Sequence, residues 1–244
     1  MPMLKPSDAE PACLILSHGA GSTGEFLSRA FPARACGLAT FYLDDRTGSV
    51  PTIAEQLAAS AARHRQRYRR VLIGGVSIGA HAAALAATGP AAGVIDGLVL
   101  ALPAWTGPAP ASSPTRAAAA EVAATGPDPV LDRLGDDPRF AADWVVTELR
   151  RAWPGRGGLA VELTAAADAA APDLADLRGI DAAALVIALT GDPFHPVAVA
   201  RTWADAIPHA ELVLIDRAAP GTDRAVFGRA VGAWLADAAL SAPQ

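Results

Sequence analysis

The sequence predicts an α/β protein with a parallel sheet of about six strands and a helical insertion. Three observations carry this. Strand-length apolar runs alternate with segments of helical period, and the runs are apolar throughout rather than at every second residue. The alternation also stops over 103–178 and then resumes.

The first run, 13–17 (CLILS), reads as a strand buried on both faces, followed by a helix over 23–36 and a strand at 39–43 (ATFYL). Over 52–67, Ile53, Leu57 and Ala61 recur every fourth residue and so share one helix face. The strand 71–76 (VLIGGV) leads into an Ala-rich helix at 78–88, and 97–102 (GLVLAL) is the next strand. Residues 103–178 hold Pro-Gly interruptions and helix-like pieces without a strand pattern. The clearest piece is 139–153, where Phe140, Trp144, Leu149 and Trp153 share an apolar face. After it come strand 184–189 (ALVIAL), helix 196–207, strand 211–215 (ELVLI) and helix 223–239, whose Phe227, Val231, Trp234 and Leu235 keep the helical period. We therefore expect one domain over 1–244, with 103–178 as a lid within it.

Composition narrows the class. At 52% apolar over 244 residues, a large core needs no disulfides. Cys13 and Cys36 lie in or beside apolar segments and read as buried packing residues suited to a reducing compartment. Residues 1–11 lack the apolar core of a signal peptide, and no run is long enough to span a bilayer, so a cytoplasmic protein without a membrane partner is expected. A net charge of −5 argues against nucleic acid. The basic cluster Arg63, His64, Arg65, Arg67, Arg69 and Arg70 reads as a solvated helix end. No His or Cys pair has ligand spacing, so neither a metal nor another cofactor is expected, and the partner is a small-molecule substrate.

Two motifs carry chemistry. Gly75-Val76-Ser77-Ile78-Gly79 is G-x-S-x-G placed between a strand and a helix. Such a turn strains the serine backbone, requires small neighbours, and lifts Oγ to the helix N-terminus, where the Ile78 amide can donate to an oxyanion. Ser17-His18-Gly19-Ala20-Gly21 ends the first strand, and its Ala20 amide is the second expected donor. The His18 side chain reads as fixing this turn beside the substrate rather than as a base. Trp105, just past strand 97–102, is expected to line the substrate pocket, so that its loss should affect ligand affinity more than stability.

With Gly191-Asp192-Pro193, these motifs stand in the order found in the α/β-hydrolase superfamily, which the chain resembles over nearly its whole length. The stretch 192–215 is similar to that family's passage from acid loop to last strand. The resemblance implies a fold lacking the family's first two strands, a Ser77 nucleophile and Asp192 as the triad acid. It also implies a histidine after the last strand, but the loop 216–223 (DRAAPGTD) has none. His209 precedes that strand and so sits at the wrong edge, and His81 lies one turn into the helix after Ser77. His195, three residues beyond Asp192, is the remaining candidate base. The expected activity is hydrolysis of an ester or thioester of a small apolar substrate through an atypical triad. The alternative is a non-hydrolytic protein on the same fold, a lyase, cyclase or ligand binder. A lesser alternative is dinucleotide binding, because Gly19-Ala20-Gly21-Ser22-Thr23-Gly24 is also G-x-G-x-x-G and Asp44 follows 20 residues later.

Overall fold

In the computed structural model, which describes residues 10–137 and 143–241, six strands form one all-parallel sheet. They are β1 (Glu10–Ser17), β2 (Ala39–Leu43), β3 (Tyr68–Val76), β4 (Gly97–Ala101), β5 (Ala183–Thr190) and β6 (Ala210–Asp216), in the spatial order β2-β1-β3-β4-β5-β6. Each expected strand is present: four are longer by two or three residues, 39–43 is unchanged, and 97–102 ends one residue sooner. The apolar runs have a simple cause: alternate residues feed two separate cores. Cys13 and Ile15 point to one face with α3 (Val50–His64), α4 (Ile78–Thr88) and α10 (Val197–Ala206). Leu14 and Leu16 point to the other, with α1 (Gly24–Ala30), α2 (Ala33–Cys36) and α12 (Val226–Ser241).

Helix boundaries depart from expectation where local chemistry intervenes. The single helix expected over 23–36 is two, because Pro32 cannot continue α1 and instead begins α2. The helix expected from 52 starts earlier, at Val50, because Ser49 caps it and Pro51 suits its first turn.

Residues 103–178 hold helices and no strand among the described residues. These are α5 (Pro114–Thr125), α6 (Pro127–Asp136), α7 (Trp144–Ala152), α8 (Leu159–Asp168) and α9 (Leu174–Arg178). The expected helix 139–153 is realised as α7, with Asp143 as its side-chain cap, and Phe140 lies outside the described residues. Val122, Val130, Leu131, Val146, Trp153, Leu159 and Leu163 give this segment its own apolar cluster, which also reaches Ala20 and Phe194. No helix among the described residues is long and apolar enough to cross a membrane.

Strand order decides where a site can form. The connection from β1 runs to β2 on one side, and that from β3 runs to β4 on the other. The two therefore diverge and leave a crevice at the C-terminal ends of β1 and β3, where open parallel sheets bind ligands. Both glycine-rich motifs end there.

Candidate functional site

Ser77 sits in the turn between β3 and α4 with φ 57° and ψ −119°. Such a conformation costs about 1–3 kcal/mol and persists only where its surroundings impose it. Here the Ser77 amide donates to Ala101 O of β4 at 2.9 Å, and the Ala80 and His81 amides donate to Ser77 O. Helix geometry leaves the Ile78 and Gly79 amides without a ladder partner at the mouth of the turn. Leu102, the residue directly after the neighbouring strand β4, has φ 55° and is the other non-glycine residue of positive φ among the described residues. Backbone strain is thus gathered at one edge of the sheet.

The flanking glycines are required by close approach. A Cβ on Gly75 would lie 2.5 Å from Ser17 O, and one on Gly79 would lie 2.3 Å from the same oxygen. Both contacts are with backbone, which cannot step aside. Gly79→Ala should therefore cost about 1–3 kcal/mol or more by overpacking and lower the melting temperature by at least about 2 °C. An unchanged melting curve would show that the elbow is looser than its geometry indicates.

The β1 loop lies directly against this turn: a Cβ on Gly19 would be 3.1 Å from Ser77 Cβ and 3.8 Å from Ser77 Oγ. The loop folds as a turn, with the Ser22 amide donating to Gly19 O at 3.0 Å and Gly21 supplying the positive φ of 69°. Helix α8 of the insertion and the linker before it hold the loop. The Gly21 amide donates to Glu162 Oε1 at 2.9 Å, Trp153 Nε1 donates to Gly21 O at 3.0 Å, and Arg156 Nη1 donates to Ser22 O at 2.6 Å. Arg156 and Glu162 pair at 2.7 Å with side chains 3% exposed. Burial raises the Glu162 carboxyl, against the Gly21 amide and the Arg156 charge, which lower it. Sequence reasoning missed Arg156 and Glu162, because a buried charge in a segment without a motif carries no local signal, and it found Trp153 only as part of an apolar face.

The same contacts bear on the dinucleotide alternative. The Gly21 amide is taken by Glu162 and the Gly24 amide by Asp44 at 3.0 Å. A pyrophosphate at this loop would meet two carboxylates where it needs free donors. Asp44, the expected ribose contact, is held by Gly24 and Arg46 and lies 3.3 Å from His18 Nε2.

The two residues expected to contact substrate, His18 and Trp105, are both buried. His18 is 2% exposed, and its Nδ1 donates to Gly19 O at 2.8 Å. Burial lowers its pKa, so the ring is a neutral brace for the turn. Trp105 belongs to the main core. It donates from Nε1 to Ala169 O at 3.2 Å and packs edge-on against His81, with ring centres 5.0 Å apart. Trp105→Ala should therefore act mainly on stability, by about 3–5 kcal/mol, and a variant that melts like the parent would return this residue to the pocket.

Asp192 and His195 are brought together. Asp192 Oδ1 accepts the Phe194 amide at 2.8 Å, while Oδ2 meets His195 Nδ1 at 2.8 Å. Asp192 is not a helix cap, because α10 begins only at Val197 behind Pro196. Burial would raise its carboxyl, but the His195 charge and hydrogen bond, the Phe194 amide and Arg217 together hold it below the usual carboxylate range. The loop leaves β5 two strands from β3, about 10 Å across the sheet. The His195 charge is nevertheless felt at His81, one turn beyond Ser77. Burial and that charge push His81 down to about 3, so its ring is neutral, with Nε2 accepting the Ala104 amide at 3.1 Å. His64 ends α3, and His209 precedes β6, so both sit at the opposite edge of the sheet.

No protein-family model matches the sequence, and no curated protein matches it. Solved structures do. The enol-lactonase from Burkholderia xenovorans LB400 is 20% identical, with 95% of this chain and 94% of that chain covered at a TM-score of 0.70. MenH from S. aureus is 16% identical, covering 93% and 94% at 0.70. A bromoperoxidase from Bacillus anthracis is 16% identical, covering 93% and 91% at 0.71. Sheet order and neighbours agree: the chain has the α/β-hydrolase fold.

Proposed function

We propose that this α/β-hydrolase-fold protein is a serine hydrolase whose acid and base come from a single loop. The observation that carries the reading is the 2.8 Å contact between His195 Nδ1 and Asp192 Oδ2, on the same sheet edge as the strained Ser77 turn. Because Asp192 is an acceptor, Nδ1 carries the proton and Nε2 keeps its lone pair. In the proposed cycle Nε2 takes the Ser77 Oγ proton as Oγ attacks an ester or thioester carbonyl. The Ile78 and Ala20 amides hold the oxyanion. The leaving alkoxide or thiolate departs with that proton, and a water, deprotonated by the same imidazole, releases the acid and frees Ser77.

The helical insertion would serve as the lid. Its apolar cluster reaches both Ala20 of the oxyanion loop and Phe194 of the acid loop, which suits a small apolar acyl group. The reading is tested by treating the protein with a fluorophosphonate and mapping the adduct by mass spectrometry. Adduct at Ser77 supports it, and adduct at another serine defeats it. Labelling of Ser77 without turnover of any acyl ester would favour the non-hydrolytic alternative, in which the same donors stabilise an enolate.

A further inference from the structure

The loop after β6, where the family resemblance implied a histidine, reaches the acid loop by another residue. Arg217 follows β6 directly, and its side chain is 17% exposed. Its Nη1 donates to Gly191 O at 3.1 Å and lies 4.0 Å from Asp192 Oδ1. Its Nε donates to Asp143 Oδ2 at 2.8 Å, and Nη2 bonds the same oxygen. Asp143 in turn caps α7, accepting the Val145 amide at Oδ1, and Trp144 Nε1 donates to Arg217 O at 3.0 Å. One guanidinium therefore ties the start of an insertion helix to the turn that carries Asp192 and His195.

We infer that Arg217 is a positioning residue for the Asp192–His195 pair, clamping Gly191 and Asp192 from behind and setting the charge beside them. This rests on the hydrolase reading for its kinetic consequences, but not for its electrostatic ones. The charged and titratable groups around the clamp are Asp143 on the insertion side, Asp192 and His195 on the acid loop, and His81 on α4. His81 is neutral, so it adds no charge. Two effects can then be separated. The planar fork fixes the loop through two directions at once, which a lysine cannot reproduce. The positive charge favours ionised Asp192.

The test uses Arg217→Met, Arg217→Lys and Asp143→Asn, the last keeping a cap oxygen for α7 while removing the charge that holds the guanidinium. The titration of the Asp192 carboxyl is followed by NMR, assigned with Asp192→Asn, and needs no substrate. In Arg217→Met it should move to higher pH, while Arg217→Lys should leave it close to the parent. The rate of fluorophosphonate labelling at Ser77, and kcat on p-nitrophenyl acetate, should fall about tenfold in both Arg217 variants and less in Asp143→Asn, with KM little changed. An Asp192 titration that stays put in a folded Arg217→Met overturns the inference, even if the protein proves to be an active esterase. A shifted titration in a protein that hydrolyses nothing would uphold the clamp and count instead against the hydrolase reading.

Discussion

Ser77→Ala should abolish fluorophosphonate labelling and lower any acyl-ester turnover by on the order of 10⁴-fold or more, with the fold intact. The size follows from what the hydroxyl does. Without Oγ there is no covalent intermediate, and only the oxyanion donors and binding remain, worth roughly 10³–10⁴ over water. Stability should not fall. Ser77 holds φ 57°, a conformation that alanine tolerates no worse than serine, and Oγ is not the cap of α4. The partners that hold the elbow are backbone: Ser77 N to Ala101 O, and the Ala80 and His81 amides to Ser77 O. Circular dichroism and thermal melting alongside the rate measurement separate the two effects. A variant that keeps most of its turnover would remove Ser77 from the chemistry, whatever the strain at its backbone.

Fold and site were legible in the sequence to different depths, and for physical reasons. A strand covered on both faces must be apolar at every position, so CLILS and ALVIAL are visible without neighbours. The turn was legible because Gly75 and Gly79 stand within two residues of Ser77, although the contact that requires them is with the distant Ser17 O. The pairing of Asp192 with His195 also lies within three residues. What was hidden is what depends on distant contacts. Arg217 meets Asp143 across 74 positions, and Glu162 reaches Gly21 across 141. Trp105 was placed at the correct edge, but nothing near it in sequence shows that Ala169 and His81 close over it.

His195→Ala should lower turnover by on the order of 10²–10⁴-fold while leaving Ser77 open to slow labelling, and its pH profile identifies the base. A base must be neutral to accept a proton, so turnover in the parent should rise with pH as an imidazole deprotonates, and that limb should vanish in the variant. Asp192 cannot be the source of the limb. Its carboxyl is held below the usual range, so it stays ionised wherever imidazoles titrate. The linkage has the same sign. A depressed carboxylate pKa contributes stability above the unfolded value that is lost only as pH falls through the lower folded one, on the acid side of the limb. His81 is excluded as well, since a pKa of about 3 keeps it neutral throughout. Asp192→Asn gives the complementary result. The asparagine can turn an amide N–H toward Nδ1, which favours the tautomer with its proton on Nε2, where it can no longer accept from Ser77. The expected loss is again on the order of 10²-fold or more, without loss of folding. Brisk turnover that survives both changes would mean that the proton of Ser77 leaves by another route, and the single-loop acid and base would have to be abandoned.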